Sequence, residues 1–246
     1  MHTPLFLENS AGKGLVVFVH GFMGSPRQFD YLAESVHRQG YSAASLLLPG
    51  HGAAARDFAS GTMELWQSHV NAEVGGLARD HGNIWLVGHS MGGLLSINAA
   101  VTHSEHVRGL FLIACPFKLT TFSANVVQAR AKQIFHRKTH PMKAAYLGAL
   151  SVKQSPSLLW RIVRPALELK KLILAAQDNL SDIRVPVTAV YSRADEIVCM
   201  GSLDILKSGL DNTELQQIIL SDSLHAYYPE RERALIESAL LTQIAT

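Results

Sequence analysis

The chain has 246 residues, of which 48% are hydrophobic and 17% charged, and its formal net charge is +2 at pH 7. This length suits one large α/β domain with a full core, and the small net charge gives no reason to expect nucleic acid as a partner. The chain has no apolar run near the ~18 residues of a membrane span and no charged-then-apolar leader, so we expect a soluble protein of the cytoplasm.

Strand and helix patterns alternate through the first part of the chain. The continuous apolar run Leu15–Val19 predicts a strand buried on both faces, as in the centre of a parallel sheet. Further strands are predicted at residues 5–8, 42–48, 83–87 and 107–114, and helices at residues 25–39, 62–80 and 91–103. Leu65, Val70 and Leu77 are expected on the apolar side of the second helix. The small, polar residues 53–61 are interpreted as a loop.

The alternation stops over residues 117–182, where we find no convincing strand. Helical periodicity predicts helices at residues 124–135, 141–150, 157–164 and 165–179, the last two separated by a kink at Pro165. Ile162, Ala166, Leu169 and Ile173 form the expected apolar stripe. Strands resume at residues 185–191 and 215–220, with helices at residues 201–208 and 229–240. The chain thus divides into a first core segment (1–116), a helical cap insertion (117–182) and a second core segment (183–246).

The insertion is strongly basic. Residues 117–182 contain 11 Lys and Arg against 3 Asp and Glu, a formal charge of +8, whereas the remainder of the chain carries −6. Such a cap could attract anionic ligands, rest weakly on an anionic lipid surface, meet the acidic core of a second subunit, or only keep the insertion in water. These alternatives, like the oligomeric state, stay open at this point.

Strands that alternate with helices predict a mostly parallel sheet with helices on both faces. Such sheets bind their ligands beyond the carboxyl ends of the strands. We therefore expect the functional residues in the loops at 20–24, 49–52, 115–118, 192–199 and 221–228.

The pentapeptide Gly-His-Ser-Met-Gly at 88–92 stands between a predicted strand and a predicted helix. A serine on so sharp a turn is forced into an unfavourable backbone conformation, and glycines two residues to either side let strand and helix pass closely. Ser90 is therefore the candidate nucleophile. The alternative is a glycine-rich turn with an incidental serine.

A serine hydroxyl needs a base to take its proton, and that base needs an acid to fix its tautomer. Asp195 and His225 follow Ser90 in the chain, each in a loop after a predicted strand. We assign them as acid and base. Glu196 and Asp222 are the rivals for the acid.

The oxyanion of a tetrahedral intermediate needs backbone donors. We expect them at Met91, directly after the nucleophile, and at Phe22 in the loop after the first central strand. His20 is interpreted as a packed histidine that holds this loop, and His51 and His89 are left outside the catalytic set.

The two cysteines, Cys115 and Cys199, are expected to be reduced and buried. Both follow predicted strands, so they could lie near one another. The histidines lack metal-ligand spacing. We therefore expect no disulfide, no metal and no cofactor.

These motifs resemble the α/β-hydrolase superfamily, in which the catalytic residues follow the order Ser, Asp, His. They are His-Gly-Phe-Met-Gly at 20–24, Leu-Pro-Gly-His-Gly at 48–52, Gly-His-Ser-Met-Gly-Gly at 88–93 and Arg-Ala-Asp-Glu-Ile-Val at 193–198. The resemblance covers residues 15–116 and 183–242. It is strongest to small bacterial carboxylesterases and monoacylglycerol-lipase-type enzymes.

This resemblance implies the α/β-hydrolase fold with a cap. It also implies a serine carboxylesterase acting on short- to medium-chain or monoacylglycerol-like esters through an acyl-enzyme, with Phe22, Met91 and Leu224 next to the substrate. Leu224 departs from the family, which usually has glycine before the catalytic histidine, and it could narrow the site or reposition His225.

Two alternative functions remain. The same triad could serve a lyase, a C–C hydrolase or an acyl-transfer enzyme, because fold and triad do not fix the reaction. The chain could also be a ligand-binding protein with little turnover.

Overall fold

The computed structural model describes residues 2–120, 151–152, 158–211 and 213–245. Within these residues, one sheet contains strands in the order β1-β3-β2-β4-β5-β6-β7. They are β1 Leu5–Leu7, β2 Leu15–Val19, β3 Ser42–Leu46, β4 Ile84–His89, β5 Val107–Ile113, β6 Val187–Ser192 and β7 Leu215–Leu220. β1 pairs antiparallel with β3, and the other neighbours pair in parallel. The predicted mostly parallel sheet is confirmed.

Helices cover both faces of this sheet. The described α-helices are α1 Asp30–Arg38, α2 Ala55–Phe58, α3 Met63–His81, α4 Met91–Thr102, α5 Leu158–Arg161, α6 Val163–Asp178, α7 Gly201–Gly209 and α8 Glu230–Ile244. Buried side chains of α3, α4, α6 and α7 belong to the core on one face, and those of α1 and α8 belong to the core on the other.

Strand β2 shows why its sequence is continuously apolar. All five of its residues are fully buried. Leu15, Val17 and Val19 point into one core, while Val16 and Phe18 point into the other. Successive side chains of a strand alternate between faces, so a strand covered on both sides needs an apolar residue at every position.

Local signals place the first helix as expected. Ser25 Oγ accepts the N–H of Arg27, and Pro26 opens a 3-10 turn, Pro26–Phe29, that leads into α1. The chain leaves the helix at Gly40, whose φ of 96° favours glycine.

The prediction of a loop over residues 53–61 was wrong for the central residues, which form a helix. Ala55–Phe58 form the one-turn helix α2, and Asp57 Oδ2 accepts the N–H of Ala54 at 3.0 Å. Phe58 is fully buried, with its ring 4.9 Å from that of Phe22 and 6.3 Å from that of Trp66. One aromatic anchor thus draws an otherwise small and polar segment onto the core.

The face of α3 also differs from the prediction. Thr62 caps the helix as expected, since its Oγ1 accepts the N–H of Leu65. The buried residues are Trp66, Val70, Val74 and Ala78, and Leu65 is 44% exposed. Trp66 has the larger apolar surface to bury, so the i, i+4 series that begins at Trp66 faces the core.

The predicted kink at Pro165 was misplaced. The helix breaks at Ile162, between α5 and α6, and Pro165 lies in the first turn of α6, where a missing N–H costs no intrahelical hydrogen bond. Ala166 is exposed, contrary to the predicted stripe, while Leu172 is fully buried. The helices predicted at 124–135 and 141–150 lie outside the described residues.

Candidate active site

The turn between β4 and α4 holds Ser90 in a strained conformation, with φ 53° and ψ −124°. A Cβ on Gly92 would lie 1.9 Å from the carbonyl oxygen of Val19, and one on Gly88 would lie 2.5 Å from that of Gly92. The predicted reason for both glycines is confirmed. The strand and the helix pass too closely for any side chain at these positions.

The structure brings the three predicted catalytic residues together. Ser90 Oγ lies 3.0 Å from His225 Nε2, and His225 Nδ1 lies 3.0 Å from Asp195 Oδ2. All three side chains are buried, although they come from loops after three different strands. This arrangement can take a proton from the serine hydroxyl and hold the resulting charge.

Asp195 is the carboxylate on the imidazole. Burial alone would raise the pKa of Asp195, but the hydrogen bond and charge of His225 and the N–H groups of Val198 and Ile197 outweigh it, so the pKa is lowered. An ionised Asp195 accepts a hydrogen bond from Nδ1–H of His225. In this tautomer Nε2 carries no proton, so its lone pair faces Ser90.

The two rivals lie elsewhere. Glu196 Oε2 accepts the main-chain N–H of His225 at 2.9 Å, not the ring. Asp222 is exposed. Asp195 is thus the carboxylate that the structure places on Nδ1 of His225.

His225 is also fixed through its main-chain carbonyl. This oxygen accepts His89 Nε2–H at 2.8 Å and the Tyr228 hydroxyl at 3.2 Å. Together with Glu196 on its N–H, His225 has main-chain partners on both sides. The direction of its ring therefore depends on residues that never contact Ser90 Oγ.

Glu232 was missed by the sequence reasoning. From α8 its carboxylate accepts the N–H groups of Ser221 and Asp222 at 2.8 and 3.0 Å, and the hydroxyl of Ser223. Burial would raise the pKa of Glu232, but these hydrogen bonds outweigh it and lower the pKa. Glu232 thus anchors the loop that carries His225. The available signal was an acid in the first turn of the helix that follows this loop.

The residues assigned to the oxyanion lie beside Ser90. Met91 is the first residue of α4, so its N–H has no acceptor within the helix. A Cβ on Gly21 would lie 2.9 Å from Ser90 Cβ, which places the chain just before Phe22 directly against the serine. The Met91 side chain is fully buried, so it does not line the site.

Leu224 is half-buried, and its N–H donates to the carbonyl of Tyr227 at 2.8 Å. Phe22 is also half-buried and packs on Phe58. That Phe22, Leu224 and the main chain of Met91 contact the substrate stays a prediction.

Three buried histidines surround this centre. His20 Nε2 accepts the N–H of Leu48 at 3.1 Å and its Nδ1 donates to the carbonyl of Gly21, so it links two loops, as expected of a packed histidine. Burial lowers the pKa of His51 to about 4 and that of His89 to about 3, and it lowers the pKa of His20 well below its usual value. All three are neutral at pH 7.

Within the part of the chain that the structure describes, no group of three His, Cys, Asp or Glu side chains has the geometry of a metal site. Each helix of that part is also too short or too polar to cross a bilayer.

Comparison with known proteins gives one matching family model, described as serine aminopeptidase, S33, over residues 10–232. The thermostable monoacylglycerol lipase of Bacillus sp. (strain H-257) is 26% identical over 234 residues, which cover 95% of this chain and 90% of that protein.

Solved structures share the fold. A structure from work on LipS and LipT, two metagenome-derived lipolytic enzymes, matches with a TM-score of 0.77 at 24% identity, covering 99% of this chain and 97% of that one. The monoacylglycerol lipase of Paleococcus ferrophilus matches with a TM-score of 0.74 at 18% identity, covering 99% and 98%. The predicted α/β-hydrolase fold is confirmed.

The close packing at the serine turn leads to a first prediction. Gly92→Ala should lower the free energy of unfolding by at least about 3 kcal/mol, because its Cβ would overlap the carbonyl of Val19. The matched control is Gly76→Ala in α3, where the nearest atom is 3.8 Å away and the change should stabilise by about 0.5–1 kcal/mol. Urea denaturation measures both. A Gly92→Ala protein as stable as the parent would contradict the packing argument.

The buried histidines lead to a second prediction. The unfolded chain protonates them near pH 6.5, whereas the folded protein does so only near pH 4 for His51 and pH 3 for His89. Because the unfolded state then binds more protons, stability should fall as the pH drops from about 6.5 towards 4, by up to about 1.4 kcal/mol per pH unit for each histidine.

Urea unfolding at several pH values measures this slope. In His51→Gln the slope between pH 6 and pH 4.5 should be smaller by about 1 kcal/mol per pH unit. An unchanged slope would show that His51 does not bind an extra proton on unfolding.

Proposed function

Because the chain belongs to the serine aminopeptidase S33 family, we propose that it hydrolyses carboxylic esters at Ser90, with His225 as general base and Asp195 as its carboxylate partner. The chain is a serine hydrolase that acts on ester bonds. The assignment as an ester hydrolase rests on the family and on the Bacillus monoacylglycerol lipase, to which the chain is similar along 95% of its length. The residue roles and the substrate class are our proposal.

The observation that carries the catalytic assignment is the pair of 3.0 Å hydrogen bonds that join Ser90 to His225 and His225 to Asp195. Ser90 Oγ attacks the ester carbonyl carbon while its proton passes to His225 Nε2. Asp195 stabilises the imidazolium that forms. The N–H groups of Phe22 and Met91 bind the oxyanion.

The first half of the reaction ends when the ester C–O bond breaks and the leaving alcohol takes the proton from His225. The second half hydrolyses the acyl-enzyme. Water then attacks the acyl-enzyme, giving its proton to Nε2, and collapse of the intermediate releases the carboxylic acid and returns the proton to Ser90 Oγ. No cofactor enters these steps.

Three packed aromatic side chains, Phe22, Phe58 and Trp66, favour a substrate with an acyl chain. Phe22 packs edge-on against Phe58 and Trp66, with ring centroids 4.9 and 6.3 Å apart, and Phe22 stays half-exposed beside Ser90. Apolar surface next to a nucleophile favours the acyl chain of an ester over a charged group. We propose short- to medium-chain or monoacylglycerol-like esters as the substrate class.

The decisive test combines labelling with a substrate panel. A fluorophosphonate probe should label the parent protein rapidly and Ser90→Ala not at all. The panel contains p-nitrophenyl esters of increasing chain length, a monoacylglycerol, an aminoacyl p-nitroanilide and substrates of lyases and C–C hydrolases. Turnover confined to the anilide would assign a peptidase, turnover of the lyase or C–C substrates would assign those reactions, and slow labelling without turnover would indicate a binding protein.

A third prediction concerns the triad. Ser90→Ala and His225→Ala should each lower kcat by about 10³-fold or more, because the residues act as a unit. Asp195→Asn should be severely impaired as well, since Asn cannot hold the charge on His225. The matched control is Asp222→Asn, which alters an exposed carboxylate in the same region and should keep parental kcat. A damaging Asp222→Asn with a mild Asp195→Asn would reassign the acid.

A fourth prediction concerns the anchor of the His225 loop. Glu232→Gln should lower kcat by about 10- to 100-fold with a smaller change in KM, because a loop displaced by less than 1 Å misaligns the base. Glu230→Gln changes an exposed acid in the same helical turn and should leave kcat unchanged. Circular dichroism at the assay temperature checks that both variants are folded. Parental kcat in Glu232→Gln would remove its positioning role.

A further inference from the structure

The loop that carries Phe22 is a tight turn with one strained residue. The N–H of Gly24 donates to the carbonyl of Gly21 at 2.8 Å, which closes a four-residue turn over Phe22 and Met23. Met23 is the third residue of this turn and has a φ of 59°, a conformation that turns normally give to glycine or asparagine. The side chain of Met23 disfavours this conformation, so a contact outside the turn is needed to stabilise it.

Among the described residues, two other non-glycine residues have positive φ, and the sheet holds both of them. Ser90 N–H donates to the carbonyl of Ile113, and Ala114 N–H donates to the carbonyl of Val190, both at 2.8 Å. Met23 lies beyond the end of β2. Its conformation therefore depends on a different partner.

That partner is Ser151, in the segment 117–182 that the sequence predicts as a cap. Its N–H donates to the carbonyl oxygen of Met23 at 2.9 Å, and its hydroxyl donates to the same oxygen at 3.4 Å. Ser151 is 4% exposed, and Val152, which is 3% exposed, packs into the core on the side of α3 and α4. The donor is thus anchored by a buried neighbour and shielded from water, where a hydrogen bond is stronger than at the surface.

We propose that Ser151 is a positioning residue of the oxyanion hole. Its main-chain N–H holds the carbonyl of Met23, which keeps the positive φ of Met23 and so keeps the turn closed. The closed turn aims the N–H of Phe22 at the oxyanion that forms on attack by Ser90. This inference rests on the proposed function, because it needs an oxyanion bound at Phe22.

The packing around the turn leaves it little freedom to adjust. A Cβ on Gly21 would lie 2.9 Å from Ser90 Cβ, and a Cβ on Gly24 would lie 2.8 Å from the carbonyl oxygen of Gly21. If the carbonyl of Met23 were released, Met23 would relax towards negative φ and the turn would open. Phe22 would then move, and a donor displaced by about 1 Å loses much of its effect on the transition state.

Ser151→Pro removes this N–H donor. We expect kcat to fall by about 10- to 100-fold with a smaller change in KM, because the oxyanion exists only after attack on the substrate. Ser151→Ala keeps the N–H and loses only the longer hydrogen bond, so its kcat should stay within about threefold of the parent. Both are measured with a p-nitrophenyl ester. A Ser151→Ala protein as impaired as Ser151→Pro would overturn the assignment to the main-chain N–H.

A pair of inhibitors reports the oxyanion hole itself. When Ser90 Oγ adds to the carbonyl carbon of a trifluoromethyl ketone, the carbonyl oxygen becomes an oxyanion, whereas the corresponding alcohol cannot form one. In Ser151→Pro the Ki of the ketone should rise by the factor by which kcat/KM falls, while the Ki of the alcohol should stay parental. An unchanged Ki for the ketone, or an equal rise for both inhibitors, overturns the proposal.

Met23→Gly supplies a rescue. Glycine adopts positive φ without strain, so the turn then no longer needs Ser151. In a Met23→Gly background, Ser151→Pro should lower kcat by a much smaller factor than in the parent, a coupling that a double-mutant cycle measures. If proline at this position acted only by disturbing the fold around it, the loss would be the same in both backgrounds, and the proposal would be wrong.

Stability is controlled separately. Ser35→Ala removes a buried hydroxyl that donates to Glu237, so it should lower stability and keep parental kcat. If Ser151→Pro fails to fold, Val152→Ala replaces it, because it loosens the anchor and leaves every donor in place. It should lower kcat/KM and raise the Ki of the ketone by the same factor, and parental values of both would overturn the proposal.

The unmutated protein separates the two proposals. If it fails to hydrolyse esters, the proposed function is wrong and the role of Ser151 falls with it. If it hydrolyses esters and Ser151→Pro does so with parental kcat and parental Ki for the ketone, only the role of Ser151 is wrong.

Discussion

The approach of α4 to the end of β2 leaves no room for a side chain at residue 92, and the rest of the site follows from this contact. It lets Ser90 turn sharply, at a backbone strain that typically costs about 1–3 kcal/mol. Hydrogen bonds offset that strain, since Ser90 N–H donates to the carbonyl of Ile113 and Ser90 O accepts the N–H of Gly93, both at 2.8 Å. The position of the hydroxyl is thus set by the packing of the core.

His225 lies on a loop, so its position needs a different solution. Three carboxylates fix this loop by accepting hydrogen bonds from different donors. Asp195 accepts from the ring of His225, Glu196 from its main-chain N–H, and Glu232 from the residues that precede it. In the proposed reaction, His225 takes up a proton and gives it back in each half-reaction, so it gains from a ring that stays in place. Burying these carboxylates costs free energy, which the hydrogen bonds to each of them offset.

The features that could be predicted are those written locally in the sequence. The uninterrupted apolar run of β2, the serine–proline start before α1 and the Gly-x-Ser-x-Gly turn each encode their own structure. The misses depend on contacts between distant residues. Phe58 draws α2 out of a polar segment through Trp66, and Glu232 becomes an anchor only because α8 packs beside the loop of Ser221–Ser223. No periodicity in the chain records such pairings.

The two cysteines, both free, differ in their surroundings. Cys115 is fully buried, as predicted. Cys199 is partly exposed, so the prediction that both thiols are buried was wrong for this residue. Burial raises the pKa of Cys115 well above its usual value, which keeps it a neutral, unreactive thiol. Cys199 follows Asp195 by four residues. The natural chain therefore already offers one reachable attachment point for a spin label or dye beside the active-site loops, with no need to remove the other cysteine first.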